Sequence, residues 1–342
     1  MRADPQPCHP TLQGIPDSPA SETGMSENDK RRLAAVTGIT GFVGGHLAGA
    51  LARRGWRIRA LVRSMPRFDA IPGPAIEVVQ GSLADSEALG RLVEGADAVI
   101  HLAGAIKGRG RADFLRANAA GTARLVEAWR DHGFVSHFVY LSSMAARVPE
   151  LSQYAASKSA AEAELSRIDA DAPWSILRPA AIYGPGDRET LRIFRTANGP
   201  VQPMLNDAEA RVTAVHVDDV TNAIIALADR PISGRVFELT DGNYSGYSWR
   251  QLTSEAARAL GRGPRTVKLP NFAVRALGLA GDAVGVAGGE AMLTTPKARE
   301  ILHPDWGSDP ADQPPPELWQ PKTSLSEGFA QTVAWYREHG WL

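Results

Sequence analysis

The chain has 342 residues, 37 basic and 38 acidic, so its formal net charge of −1 offers no basic excess for binding nucleic acid. Apolar residues make up 44% and charged residues 22%, which is typical of a globular protein without a membrane-spanning segment. A single cysteine excludes an internal disulfide and a thiolate metal cage, and no secretory signal pattern is present. We therefore expect a cytoplasmic protein.

The first thirty residues differ in composition from the rest. Prolines lie among small and polar residues, and no helical or strand pattern is visible there. We expect residues 1–30 to form a disordered N-terminal tail, with Met25 as an alternative start.

From Arg32 onward, short apolar runs alternate with helical patterns, which predicts strand–helix–strand units and a parallel sheet. The predicted strands are 33–37, 57–62, 76–80, 97–102, 137–141 and 174–177. The predicted helices are one ending near residue 54, then 85–94, 112–132 and 152–168. This order predicts an α/β fold with a doubly wound parallel Rossmann sheet.

The regular alternation stops after Pro179. A strand and a helix return within 212–228, a strand is expected at 236–239, and a helix at 325–338. We expect residues 31–180 to form the dinucleotide-binding domain, to which later segments can return. Residues 181–342 should be mainly a smaller C-terminal lid that binds the substrate.

A glycine-rich turn lies between the first strand and its helix. The glycines are spaced by three, as Gly38, Gly41 and Gly44. Such spacing allows a tight turn, close approach of a pyrophosphate, and packing of the helix on the strand. A tight turn with a purely structural role can have the same glycine spacing, but the strand before it and the helix after it favour cofactor binding. The predicted contacts here are Gly38, Thr40, Gly41, Phe42, Val43 and Gly44.

The end of the second strand bears on cofactor choice. An acidic residue there would bind the adenine ribose of NAD(H), but the sequence has Arg63 and Ser64, with Arg67 close behind. A guanidinium can bind a 2′-phosphate with two charge-assisted hydrogen bonds, although surface arginines are also common. We expect NADP(H) to be favoured, with NAD(H) left open.

Three polar residues form a candidate catalytic set. Tyr154 and Lys158 are one turn apart on a predicted helix, and Ser143 follows the fifth strand. A nearby ammonium favours the phenolate, so Tyr154 could exchange a proton with a substrate oxygen that Ser143 also binds. All three should lie near the carboxyl edge of the sheet, where such folds bind ligands.

This order of motifs resembles the extended branch of the short-chain dehydrogenase/reductase superfamily, the epimerase/dehydratase-like proteins. The resemblance implies that Asn118 helps to hold a proton-relay water and that Lys158 binds the nicotinamide ribose. It also implies cofactor contacts from Leu83, Leu102, Ala103, Gly104, Tyr154, Lys158 and Pro179. Gly81-Ser82-Leu83 departs from the usual Gly-Asp-Leu, which removes one contact near the adenine.

The activity expected from this resemblance is hydride transfer at a carbonyl or secondary alcohol. The residue pair Met144-Ala145 lacks the Asp-Glu of dehydratases, and the short interval between Ser143 and Tyr154 favours a small, fairly apolar substrate. One alternative is a sugar-nucleotide 4-epimerase or 4-ketoreductase, with a diphosphate clamp drawn from Arg188, Arg192, Arg195 and Arg211. Another is a non-catalytic NADP-binding sensor or assembly subunit, although such proteins typically lose the tyrosine or lysine.

The remaining expectations concern metals and partners. His101, His137 and His216 lie on or beside apolar strands without metal-ligand spacing, so we expect structural histidines and no metal. The expected partner is a small-molecule substrate rather than nucleic acid, and a homodimer is compatible with the sequence.

Overall fold

Seven parallel strands form the central sheet of the computed structural model. The structure describes residues 31–65, 68, 75–108, 110–134, 136–169, 171–199, 202–204, 210–263, 266–286 and 294–342. The strands of the sheet are β1 (Leu33–Thr37), β2 (Arg57–Val62), β3 (Glu77–Gln80), β4 (Ala98–His101), β5 (His137–Leu141), β6 (Trp174–Pro179) and β11 (Arg235–Leu239). The expected tail, residues 1–30, and Arg67 lie outside the described residues.

The strand order is β11-β6-β5-β4-β1-β2-β3. All neighbours are parallel, and Val36 of β1 lies between Ala60 of β2 and Ile100 of β4. The chain runs outward in both directions from β1, so the strand order reverses between β1 and β4. Open sheets of this kind bind ligands in the crevice beyond that point.

Helices cover both faces of the sheet, which explains why the central strands β1, β4 and β5 are buried along their whole length. The helices along the chain are α1 (Phe42–Arg53), α2 (Ser86–Val93), α3 (Arg111–Phe114), α4 (Gly121–Asp131), α5 (Gln153–Ser166), α6 (Leu191–Ala197), α7 (Val217–Asp229), α8 (Trp249–Ala259), α9 (Asn271–Val286), α10 (Thr295–Leu302) and α11 (Leu325–Glu338). Helices α1 and α7 pack together over one core, and α2, α4 and α5 form the other. The predicted doubly wound Rossmann fold is confirmed.

A third core lies outside the central sheet. It is built around Tyr183, Phe194, Phe329 and Tyr336. Three small sheets accompany it: β7 (Ala181–Tyr183) with β10 (Ala214–His216), β8 (Gln202–Met204) with β13 (Thr266–Lys268), and β9 (Arg211–Val212) with β12 (Tyr247–Ser248) and β14 (Asp305–Trp306). Helices α9 and α10 pack on each other around a separate small cluster centred on Val274 and Ala298.

The long helix predicted over 112–132 has an irregular middle. A π-helical segment, Leu115–Ala120, separates α3 from α4. Such widened turns often occur at functional sites, and this one contains Asn118. Within the described part of the chain, no helix is both long and apolar enough to cross a membrane.

Candidate active site

The glycine turn brings the backbone close to the loop after β4. Gly38 has a φ of +79°, and a Cβ atom there would lie 2.6 Å from the amide nitrogen of Ala103. A Cβ on Gly44 would lie 2.2 Å from the carbonyl oxygen of Gly38. Both positions therefore require glycine, the first for its conformation and the second for helix packing.

The N-terminus of α1 is suited to a phosphate group. Its N-cap residue, Gly41, makes no side-chain capping bond, and the first turn contains no acidic residue. The free N–H groups and the positive end of the helix dipole therefore face the glycine turn without a competing carboxylate. These residues fit a dinucleotide such as NAD or NADP.

Ser143 and Tyr154 lie together at the carboxyl edge of the sheet. Ser143 caps the short 3₁₀ helix Met144–Arg147 by accepting from the Ala145 N–H at 3.2 Å. The Ser143 hydroxyl group also lowers the pKa of Tyr154, so the two side chains face the same site. Tyr154 lies in the first turn of α5, which Ser152 caps through the Ala155 N–H at 3.0 Å. Burial raises the pKa of Tyr154 to about 12, against the opposing effect of Ser143. The phenol is therefore protonated at neutral pH.

Lys158 lies one turn further along α5 and is 5% exposed. Its Nζ donates to the Leu141 carbonyl oxygen at 2.8 Å and to the Tyr140 hydroxyl oxygen at 3.3 Å. Burial lowers the pKa of Lys158 to about 8, while the charge of Glu162 acts in the opposite direction. Lys158 therefore remains mainly charged near neutral pH.

A buried carboxylate supports this lysine from the next turn of α5. Glu162 accepts a hydrogen bond from the Ser142 hydroxyl group at 2.5 Å. It also accepts hydrogen bonds from two nitrogens of the Arg178 guanidinium group, the shortest at 2.5 Å. The sequence analysis did not identify Glu162 or Arg178. The helical spacing of four between Lys158 and Glu162 was the available signal.

Asn118 joins the loop after β4 to α5. Its Oδ1 accepts from the Ala105 N–H at 2.6 Å, and its Nδ2 donates to the Ala105 carbonyl at 3.1 Å and to the Ser157 hydroxyl at 2.8 Å. Its backbone carbonyl accepts from Thr122 at 2.6 Å. Asn118 is therefore beside the catalytic set, but these groups are already paired within the protein.

His101 connects the glycine turn to the same region. Its Nδ1 lies 2.6 Å from the Thr37 hydroxyl and its Nε2 lies 2.9 Å from the Thr122 hydroxyl. Since Thr122 donates its hydrogen to the Asn118 carbonyl, Nε2 must carry the ring proton of a neutral His101. Burial, together with the charge of Lys158, lowers the pKa of His101 to about 3. The His101 ring is therefore neutral near neutral pH, as this tautomer requires.

The other predicted cofactor residues lie at the carboxyl ends of strands or in the segments that follow them. Arg63 and Ser64 follow β2, and Arg63 is exposed. The side chain of Leu83 covers Gly121, where a Cβ atom would lie 2.8 Å from Leu83 Cδ1. Leu102, Ala103 and Gly104 follow β4, and Pro179 ends β6.

Two of the four arginines named for a diphosphate clamp in the sugar-nucleotide alternative contact Trp341. Arg188 stacks over the Trp341 ring at 5.1 Å, and Arg195 donates to the Trp341 carbonyl oxygen at 3.4 Å. No group of three or more metal-binding side chains occurs among the residues for which the structure gives positions.

Comparison with known proteins agrees with this geometry. The sequence profile of the NAD dependent epimerase/dehydratase family matches residues 34–239. The chain belongs to this family. It is 42% identical over 316 residues to the ceramide reductase of Caulobacter vibrioides, covering 92% of this chain and 97% of the relative. It is 28% identical to the 2-alkyl-3-oxoalkanoate reductase of Stenotrophomonas maltophilia, covering 87% and 98% of the two chains.

A solved structure supports the same family fold. The crystal structure of gox2253 covers 90% of this chain and 98% of its own, with a TM-score of 0.68 and 26% identity. Taken together, these relatives and the family match make the chain an NAD(P)-dependent oxidoreductase of the extended short-chain dehydrogenase/reductase superfamily.

Proposed function

We propose that the chain is an NADPH-dependent ketoreductase whose substrate is a long-chain amide lipid of the ceramide class. The observation that carries the proposal is the grouping of three side chains at the carboxyl edge of the sheet: Tyr154 and the buried Lys158 one turn apart on α5, and Ser143 after β5. A protonated phenol is the form required for reduction, because it can donate a proton to the alkoxide oxygen as the alcohol forms.

In this proposal each residue has a distinct task. NADPH, held by the glycine turn, supplies the hydride when bound. Tyr154 donates the proton to the substrate oxygen, and Ser143 orients that oxygen through its hydroxyl group. Lys158 holds the nicotinamide ribose and, by its charge, favours the phenolate left after proton transfer.

An apolar substrate is supported by the surroundings of Tyr154. The Phe114 ring meets the Tyr154 ring edge-on, with centroids 6.4 Å apart. The loop after β4 carries Ile106, whose side chain is 61% exposed. The 42% identity with a ceramide reductase, over nearly the whole of both chains, supports extending the substrate class to a ceramide-type ketone.

Arg63 supports NADPH over NADH, and its replacement tests this preference. Losing one arginine–phosphate contact should cost about 1.5–3 kcal/mol. Because about 1.4 kcal/mol corresponds to a tenfold change in affinity, we expect Arg63→Ala to weaken NADPH binding by tenfold or more. NADH binding should be almost unchanged. Fluorescence titration of both cofactors measures the difference. Equal losses for both would contradict the assignment.

The substrate class is tested by NADPH oxidation with a ceramide-type ketone and with a UDP-4-ketosugar. We expect oxidation with the ketolipid and none with a UDP-4-ketosugar. Turnover of the sugar nucleotide alone would favour the 4-ketoreductase alternative. Cofactor binding without turnover of either substrate would favour a sensor or assembly role.

A further inference from the structure

Strongly exposed large apolar side chains are concentrated in one segment of the described chain. Four of the five lie between residues 267 and 279: Val267, Phe272, Leu277 and Leu279, the fifth being Ile106. Phe272 is 75% exposed and Leu279 is 65% exposed. Large rings and branched chains at such exposure are unusual for a surface that faces only water.

Helix α9 presents two different faces. Phe272, Ala276 and Leu279 follow the spacing of one helical stripe, and all three are exposed. The opposite face packs on α10, where a Cβ on Gly278 would lie 3.2 Å from the Ala298 Cβ. The helix therefore buries one face within the α9–α10 hairpin and leaves the other uncovered.

The charge around this face is positive on a nearly neutral chain. Residues 260–299 contain six basic and two acidic residues, whereas the whole chain contains 37 and 38. Arg262, Arg275 and Arg299 are exposed, and none has an acidic partner among the residues described. An exposed apolar stripe together with exposed arginines in the same segment matches the interface of an anionic bilayer, where each basic residue contributes about 1 kcal/mol.

The dimensions favour a helix that lies on the bilayer. Helix α9 has 16 residues. At about 1.5 Å per residue its length is about 24 Å, which is shorter than the hydrocarbon core. The hairpin is also linked to the catalytic edge through Trp306. The Trp306 Nε1 group donates to the Glu300 carbonyl oxygen of α10 at 2.9 Å, and its ring lies 6.0 Å from the guanidinium group of Arg147, in the 3₁₀ helix after Ser143.

From these observations we propose that the α9–α10 hairpin docks on an anionic lipid bilayer through Phe272, Leu279 and its own exposed arginines, Arg275 and Arg299. This places the catalytic edge at the surface in which a ceramide-type substrate is dissolved. The substrate part of this inference rests on the proposed function, whereas the docking part rests on the hairpin alone.

Vesicle flotation without substrate tests the docking. The full chain is mixed with vesicles of phosphatidylcholine plus phosphatidylglycerol, or of phosphatidylcholine alone. We expect binding to the anionic vesicles that weakens at high salt. Phe272→Ser/Leu279→Ser and Arg275→Gln/Arg299→Gln should each reduce the partition coefficient by about tenfold or more.

Arg130→Gln/Arg167→Gln is the charge-matched control, because both arginines are exposed and lie outside the hairpin, Arg130 on α4 and Arg167 directly after α5. This control should bind vesicles like the unchanged protein. Reduction of a water-soluble ketone should stay unchanged in all three variants, which separates docking from catalysis. Absence of binding by the unchanged protein, or equal binding by the hairpin variants, would overturn the proposal. So would gel filtration in which Phe272→Ser/Leu279→Ser converts a dimer to a monomer, because the face would then be a subunit interface.

Discussion

At the scale of single residues, the proposed catalytic set of Ser143, Tyr154 and Lys158 includes a buried charge arrangement. Lys158 has a pKa lowered to about 8 by burial, and Glu162 limits that decrease. Glu162 contacts Ser142 and Arg178 rather than the reacting groups. It is therefore a positioning residue that keeps Lys158 charged.

We expect Glu162→Gln to move the alkaline limb of the activity profile to lower pH. The charged form of Lys158 loses its stabilising partner, while the Arg178 charge remains nearby, so the pKa of Lys158 falls further below about 8. The pH dependence of kcat/KM for ketone reduction measures the shift. A uniform decrease in activity with an unmoved alkaline limb would indicate a merely structural role. Ser142→Ala, which keeps the carboxylate, is the milder control.

The sequence predicted some of these residues and not others, for physical reasons. Tyr154, Lys158 and Ser143 could be proposed because short motifs place them on one helix and one strand end. The pairing of Glu162 with Arg178 depends on contact between α5 and β6, which no local pattern shows. Thr37, His101 and Thr122 likewise meet only after β1, β4 and α4 have packed together.

At the scale of elements, the glycine turn is the most constrained part of the site. We expect Gly44→Ala to weaken NADPH binding, because its Cβ would meet the Gly38 carbonyl oxygen at 2.2 Å and the Ile39 Cα at 2.6 Å. Moving this backbone removes contacts with the phosphates, at a cost of about 1.5–3 kcal/mol. Fluorescence titration with NADPH and thermal unfolding measure the two effects.

Gly45→Ala is the matched control. A Cβ on Gly45 meets nothing within 4 Å, and the residue lies in the same helix. The substitution should leave NADPH binding unchanged and raise stability by up to about 1 kcal/mol through better helix propensity. Equal effects of the two substitutions would refute the packing argument.

Strands were easier to predict than the irregular helix. The apolar runs of the central sheet are continuous because both faces are covered, so their positions follow from the sequence. The π-helical segment Leu115–Ala120 was not predicted, since its residues have an ordinary helical pattern. The place of β11 beside β6 also depends on a long-range crossover rather than on any local signal.

At the scale of the whole molecule, buried histidines link folding stability to pH. Burial lowers the pKa of His137 to about 4, and His101 has a pKa of about 3. Both values are below the ordinary 6.5, so the unfolded chain binds protons that the folded chain does not. Stability from these groups is therefore present above pH 6.5 and is lost as the pH falls towards about 3–4.

His137→Gln tests this linkage. Gln keeps a donor for the Ser175 hydroxyl, which lies 2.9 Å from His137 Nε2, and removes the titrating ring. The free energy of unfolding in urea is measured between about pH 6 and about pH 5. Its slope against pH should be smaller in the variant, by up to about 1.4 kcal/mol per pH unit. An unchanged slope would show that His137 is not responsible.

In the proposed NADPH-dependent ketone reduction Tyr154 supplies the proton, and Tyr154→Phe removes this donor while keeping the ring. The measurement is single-turnover reduction of a ceramide-type ketone with saturating NADPH, so that chemistry limits the rate. We expect the rate to fall about a hundredfold to ten-thousandfold, with NADPH affinity and thermal stability nearly unchanged. A Tyr154→Phe enzyme that reduces the ketone at the unchanged protein's rate would contradict the account.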